Sequence, residues 1–90
     1  MKIAIIGSGG REHALAHHLS SSKKITNIYS IPGNAGTEEI SVNINLNLEN
    51  FQDLYKFIKK EQIELVIVGP EKPLVEGLVD FLESKNIKVF

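Results

Sequence analysis

Cysteine is absent from this chain, which excludes a disulfide framework and any thiolate metal site. No stretch approaches the roughly 20 apolar residues of a membrane span. The first residues form a strand pattern, not the charged-then-apolar pattern of a signal peptide. Charge of neither sign is in excess: 10 Lys and Arg stand against 11 Asp and Glu, for a net charge of -1. The basic face that a nucleic-acid partner requires is therefore missing. Together these absences predict a cytoplasmic chain with neither a membrane nor a nucleic acid as partner. What remains is ordinary for a globular protein, with 42% hydrophobic and 23% charged residues. Ninety residues make one small domain whose margin of stability is thin.

The most informative segment is Ile-Ile-Gly-Ser-Gly-Gly-Arg-Glu-His, positions 5–13. An apolar strand, Lys2 to Ile6, runs into a turn containing Gly7, Ser8, Gly9 and Gly10, and the turn opens a helix near Arg11. Glycines let the backbone bend sharply and approach a ligand closely. The free N–H groups and positive dipole end of the helix then favour an anion, typically a phosphate.

Further along, strands alternate with helices. Helix one is predicted over 11–21, with Ala14, Leu15 and Leu19 on its apolar face and three serines closing it. Strand two is predicted over 27–31, followed by the turn Pro32-Gly-Asn-Ala-Gly36 and a short helical turn over 38–40. Residues 41–48 alternate, with Val42, Ile44, Leu46 and Leu48 on one side and asparagines on the other, as in an edge strand or an extended connection. Asn50 is placed to cap a second helix over 51–61 striped with Phe51, Leu54, Tyr55 and Ile58. A third strand, 65–68, is fully apolar and is broken by Gly-Pro-Glu-Lys-Pro. The third helix is predicted from Pro73 to near Ser84, with Leu74, Leu78, Val79 and Leu82 inward. A fourth strand follows over 86–90, and a strand at the terminus predicts that the chain is part of a longer protein.

This alternation implies an α/β fold with a parallel sheet of four to five strands and right-handed crossovers. Ligands bind such sheets outside the carboxyl ends of the strands. Three loops leave those ends: 7–10, 32–36 and 69–72. All are rich in glycine, proline and polar residues, so one rim gathers them.

Each motif has a bland reading beside the functional one. Gly7-Ser-Gly-Gly-Arg-Glu12 begins like the dinucleotide fingerprint, but Glu12 stands where the third glycine belongs. No acid ends strand two to hold a ribose hydroxyl, and no Gly-Lys-Ser/Thr completes a P-loop. The turn with Arg11 beside it suits a terminal phosphate monoester; the alternative is a turn that merely joins strand to helix. His13 and His17 are four residues apart, but no third metal ligand is marked and no metal site is expected. His17 and His18 are read as solvent-facing or partly buried. His13 either touches the ligand or supports the loop. Asn34 is a natural turn residue or a hydrogen-bond partner for a sugar hydroxyl. Glu71 either accepts from ribose hydroxyls or is a surface acid favourable to a helix dipole.

The sequence Met-Lys-Ile-Ala-Ile-Ile-Gly-Ser-Gly-Gly-Arg-Glu-His-Ala, positions 1–14, closely resembles the start of the phosphoribosylamine–glycine ligases (glycinamide ribonucleotide synthetases). Pro32-Gly-Asn-Ala-Gly36 and Val68-Gly-Pro-Glu-Lys-Pro-Leu-Val75 look like the family's next two motifs, in order and spacing. The resemblance covers the whole chain. It implies a Rossmann-like, pre-ATP-grasp N-terminal domain of an ATP-grasp ligase. Such enzymes join glycine to 5-phospho-D-ribosylamine with ATP and Mg²⁺ or Mn²⁺, through a glycyl phosphate, in the second step of de novo purine synthesis. Residues 1–90 would then be the phosphoribosylamine-binding domain, with the ATP site and metal ligands in later domains and no catalytic residue of their own. By resemblance, Gly9, Gly10 and Arg11 lie near the 5′-phosphate, Asn34 and Gly36 form the second rim loop, and Pro70 and Glu71 lie near the ribose. Gly7, Ser8 and His13 support the site. Lys72 stands where the family often has a small residue, and is expected to point outward. Two other readings compete: the dinucleotide domain of an oxidoreductase and a non-catalytic interaction module.

Overall fold

The computed structural model describes residues 1–7, 9–68 and 77–90. In order these form β1 (Lys2–Gly7), α1 (Gly10–Ser20), β2 (Asn27–Pro32), a 3₁₀ turn (Thr37–Glu39), β3 (Val42–Asn43), α2 (Phe51–Glu61), β4 (Leu65–Val68) and α3 (Leu78–Ser84). The sheet order is β3-β2-β1-β4, and every pairing is parallel. Among the described residues no helix is long and apolar enough to cross a membrane.

Alternation along β1 splits the core into two layers. Ala4 and Ile6 join Tyr29, Ile31 and Val66 on one face, beneath Leu54 and Ile58 of α2 and Leu78 and Leu82 of α3. Ile3, Ile5 and Ile28 form the other face, covered by Ala16, Leu15 and Leu19 of α1. Complete burial of an Ile or Leu side chain contributes about 1.5–3 kcal/mol, so these two layers supply most of the driving force. Phe81 bridges the two helices of the larger layer, its ring 5.4 Å from that of Phe51 and 6.4 Å from that of Tyr55.

The expected parallel sheet and the second helix are present with the expected residues. Asn50 caps α2 by accepting from the Asp53 N–H at 3.2 Å. Ser20 and Ser21 close α1 by donating to the carbonyls of His17 and His18.

Three expectations are corrected. Ala14 is exposed and Ala16 takes the buried position on α1, because the helix is turned so that residues 12, 15, 16 and 19 face the sheet. Val42 is 53% exposed: β3 pairs for only two residues, and its inward neighbour is Asn43, held by polar partners. Ile44, Leu46 and Leu48 do pack on the core. The last expected strand is a single parallel bridge between Val66 and Val89, and Phe90 is exposed. The start of the third helix at Pro73 and Leu74 lies outside the described residues.

Candidate binding rim

Register brings the strand ends together. Gly7 pairs with Pro32, and Ile6 pairs with both Ile31 and Val68. The chain therefore leaves β1, β2 and β4 along one edge of the sheet, as the strand–helix alternation predicts. Ser8, Pro70, Glu71 and Lys72 lie outside the described residues.

The first two loops are stitched to each other. The Gly33 N–H donates to the Gly7 carbonyl at 3.1 Å. The Asn34 side-chain amide donates to the Gly9 carbonyl at 3.3 Å, and its Oδ1 accepts from the Thr37 N–H at 3.0 Å. Thr37, itself fully buried, donates from its hydroxyl toward Asn43 Oδ1 at 2.8 Å. The Asn43 amide returns to the Asn34 carbonyl at 2.8 Å. Buried polar groups that satisfy one another in this way fix a loop's shape. Asn34 thus spans the two loops through its own amide, a bracing role that its residue type alone does not reveal.

His13 braces the same junction by packing. A methyl group built on Gly36 would stand 2.6 Å from His13 Cε1, so glycine is the residue that lets the imidazole and the second loop meet. His17 and His18 are exposed, as expected. No group of three or more His, Cys, Asp or Glu among the described residues is placed to hold a metal ion.

The start of α1 is open. Its N-cap, Gly9, has extended backbone and no side chain to satisfy the first N–H groups. Gly10 and Arg11 are exposed, and a Cβ on Gly10 would meet nothing within 4 Å. The first N–H groups and the positive end of a helix dipole, with an exposed guanidinium beside them, are groups of the kind that favour an anion.

Glu12 is the residue whose importance the motif reading missed. It is only 4% exposed, and its Oε1 has no hydrogen-bond partner among the described residues. Its carboxylate lies over Gly7, where φ is +143°: a Cβ there would collide with Oε1 and stand 2.6 Å from Cδ. The signal was the spacing of 12 with 15, 16 and 19, which puts the acid on the inward stripe of α1.

Comparison with known proteins identifies the family. The family model described as phosphoribosylglycinamide synthetase, N domain, matches residues 1–90. A phosphoribosylamine–glycine ligase of Clostridium acetobutylicum is 47% identical over 90 residues, covering 100% of this chain and 22% of that protein. One of Caldanaerobacter subterraneus subsp. tengcongensis is 44% identical with the same coverage. The trifunctional purine biosynthetic protein adenosine-3 of Chironomus tentans is 47% identical over 94 residues, which is 99% of this chain and 7% of that protein. The chain spans 22% of the length of the two bacterial ligases. Among solved structures, the phosphoribosylamine–glycine ligase of Thermotoga maritima superposes with a TM-score of 0.60 at 32% identity, over 84% of this chain and 18% of that one. Apo saccharopine dehydrogenase of Saccharomyces cerevisiae superposes with a TM-score of 0.76 at 17% identity, over 98% of this chain and 20% of that one. The latter likeness is one of fold.

Proposed function

The chain belongs to the phosphoribosylglycinamide synthetase N-domain family, and from that premise we propose that its rim holds 5-phospho-D-ribosylamine for an ATP-dependent ligase of purine synthesis that joins this amine to glycine. The observation that carries the proposal is the uncapped start of α1, with Gly9, Gly10 and exposed Arg11, beside a second loop braced by Asn34 and Gly36. The phosphate would sit at the helix start, where backbone N–H groups and the guanidinium share its charge. The ribose would lie near Pro70 and Glu71, as the family resemblance implies.

In the intact enzyme ATP activates the glycine carboxylate and the ribosylamine nitrogen displaces phosphate from it. ATP and a divalent metal ion, Mg²⁺ or Mn²⁺, are assigned to the parts of the ligase beyond this chain. In this reading residues 1–90 take part by holding the amine substrate. Such holding has kinetic value: fixing a nucleophile's position and orientation can lower a barrier by several kcal/mol. A cytoplasmic setting belongs to the same proposal.

Calorimetric titration with ribose 5-phosphate tests the reading, since that sugar carries the same phosphate and ribose hydroxyls. Saturable binding with NADH inert is the expected result. Binding of NADH in place of the sugar phosphate would overturn it in favour of a dinucleotide domain.

A further inference from the structure

Glu12 sets an electrostatic problem at the rim. It occupies the third residue of α1, within the turn whose N–H groups attract anions, yet it is a carboxylate buried to 4% exposure. A buried charge acts on its neighbours with little solvent screening. No cation neutralises it among the described residues, and its Oε1 is left without a donor. In dinucleotide-binding folds this position is glycine, so that helix and strand pack closely beside a bridging pyrophosphate. Here the carboxylate fills that place, wedged against the α-carbon of Gly7 at the end of β1.

We propose that Glu12 is a specificity-determining residue that rejects diphosphate-bridged ligands from the start of α1 and leaves the rim to sugars bearing a single phosphate. A monoester can place its one charged group outward, between the first N–H groups of the helix and the exposed Arg11. A bridged diphosphate must bring a second anionic group inward along the turn, toward the carboxylate. The inference rests on the assignment of the rim to a phosphorylated sugar, but concerns selectivity and can fail separately.

The test compares affinities of the full gene product for ribose 5-phosphate and inorganic pyrophosphate, in the wild type and in Glu12→Gln. Glutamine keeps the size and shape of the side chain and removes its charge. The wild type is expected to prefer ribose 5-phosphate, and the variant to bind pyrophosphate about tenfold more tightly, so that the preference narrows. A residue that only packs against Gly7 leaves the ratio of the two affinities unchanged, and that outcome overturns the proposal. If Glu12→Gln does not fold, Glu12→Ala is read against the same pair of ligands. Stronger pyrophosphate binding by the variant, with ribose 5-phosphate bound by neither protein, sustains the role of Glu12 and removes the sugar-phosphate reading. Binding of neither ligand to either protein removes both.

Discussion

The imidazole of His13 rests against the α-carbon of Gly36, joining the first turn of α1 to the loop after β2 at a point where no larger residue fits. This contact and the Asn34 amide join the rim loops beside the Gly33–Gly7 backbone hydrogen bond, and each of the two side-chain fastenings can be undone separately.

Gly36→Ala brings a methyl group to 2.6 Å from the His13 ring. Forcing a methyl group into a packed contact costs about 1–3 kcal/mol, so the variant should have a lower urea midpoint and weaker affinity for ribose 5-phosphate. In a His13→Ala background the same substitution should cost much less. A double-mutant cycle measures that coupling.

Asn34→Ala leaves the fully buried Thr37 without the Oδ1 that accepts its N–H. An unsatisfied buried donor costs about 1–3 kcal/mol, which urea denaturation will read. Asn34→Asp keeps an acceptor for Thr37 but gives up the donor to Gly9. It should retain more stability than alanine while loosening the first loop.

Arg11 is exposed and makes no contribution to the core. Arg11→Ala should therefore leave the melting temperature unchanged while weakening ribose 5-phosphate about tenfold, the scale of one charge-assisted hydrogen bond. Unchanged affinity by calorimetry would remove Arg11 from the site.

Tyr29 donates to Glu61 Oε1 at 3.0 Å. Burial, then the hydrogen bond to Glu61 and its charge, raises the phenol above its ordinary 10.0. Raising this pKa favours the neutral phenol in the folded state. Its contribution to stability is complete below the unfolded value and is lost as pH climbs through the folded one. Melting temperature against pH should fall more steeply above about pH 10 in the wild type than in Tyr29→Phe. At neutral pH the variant should be less stable by about 1 kcal/mol.

The 90-residue chain supplied with ATP, glycine, magnesium and the ribosylamine should form no glycinamide ribonucleotide. Detection of that product by mass spectrometry would show that these residues carry more than substrate positioning.

Much of the fold is legible in the sequence because β1 and β4 are short apolar runs, β2 runs into a proline–glycine turn, and α2 has both a capping residue and a regular stripe. Helix α1 is harder to phase. Its inward face holds Glu12 and Ala16 beside two leucines, so hydropathy alone favours Ala14 over the true buried alanine. The extent of β3 is hidden for a related reason. Asn43 faces inward because Thr37 and Asn34 supply its partners, and alternation of apolar residues cannot register a satisfied polar side chain. The common edge on which β1, β2 and β4 end was readable from the order of strands and helices. Its bracing was not, since Asn34, Thr37 and Asn43 meet only after the chain has folded back, and the burial of Glu12 depends on the absence of a side chain at Gly7.

The central place of β1 governs the order in which the molecule can be completed. Its partner on one side, β2, follows after a single helix, whereas Ile3 meets Leu65 on the other side only after α1, β2, β3 and α2 have been made. During synthesis one flank of β1 therefore presents open backbone donors and acceptors for longer than the other, and it is there that a nascent molecule is most exposed to pairing with a neighbour.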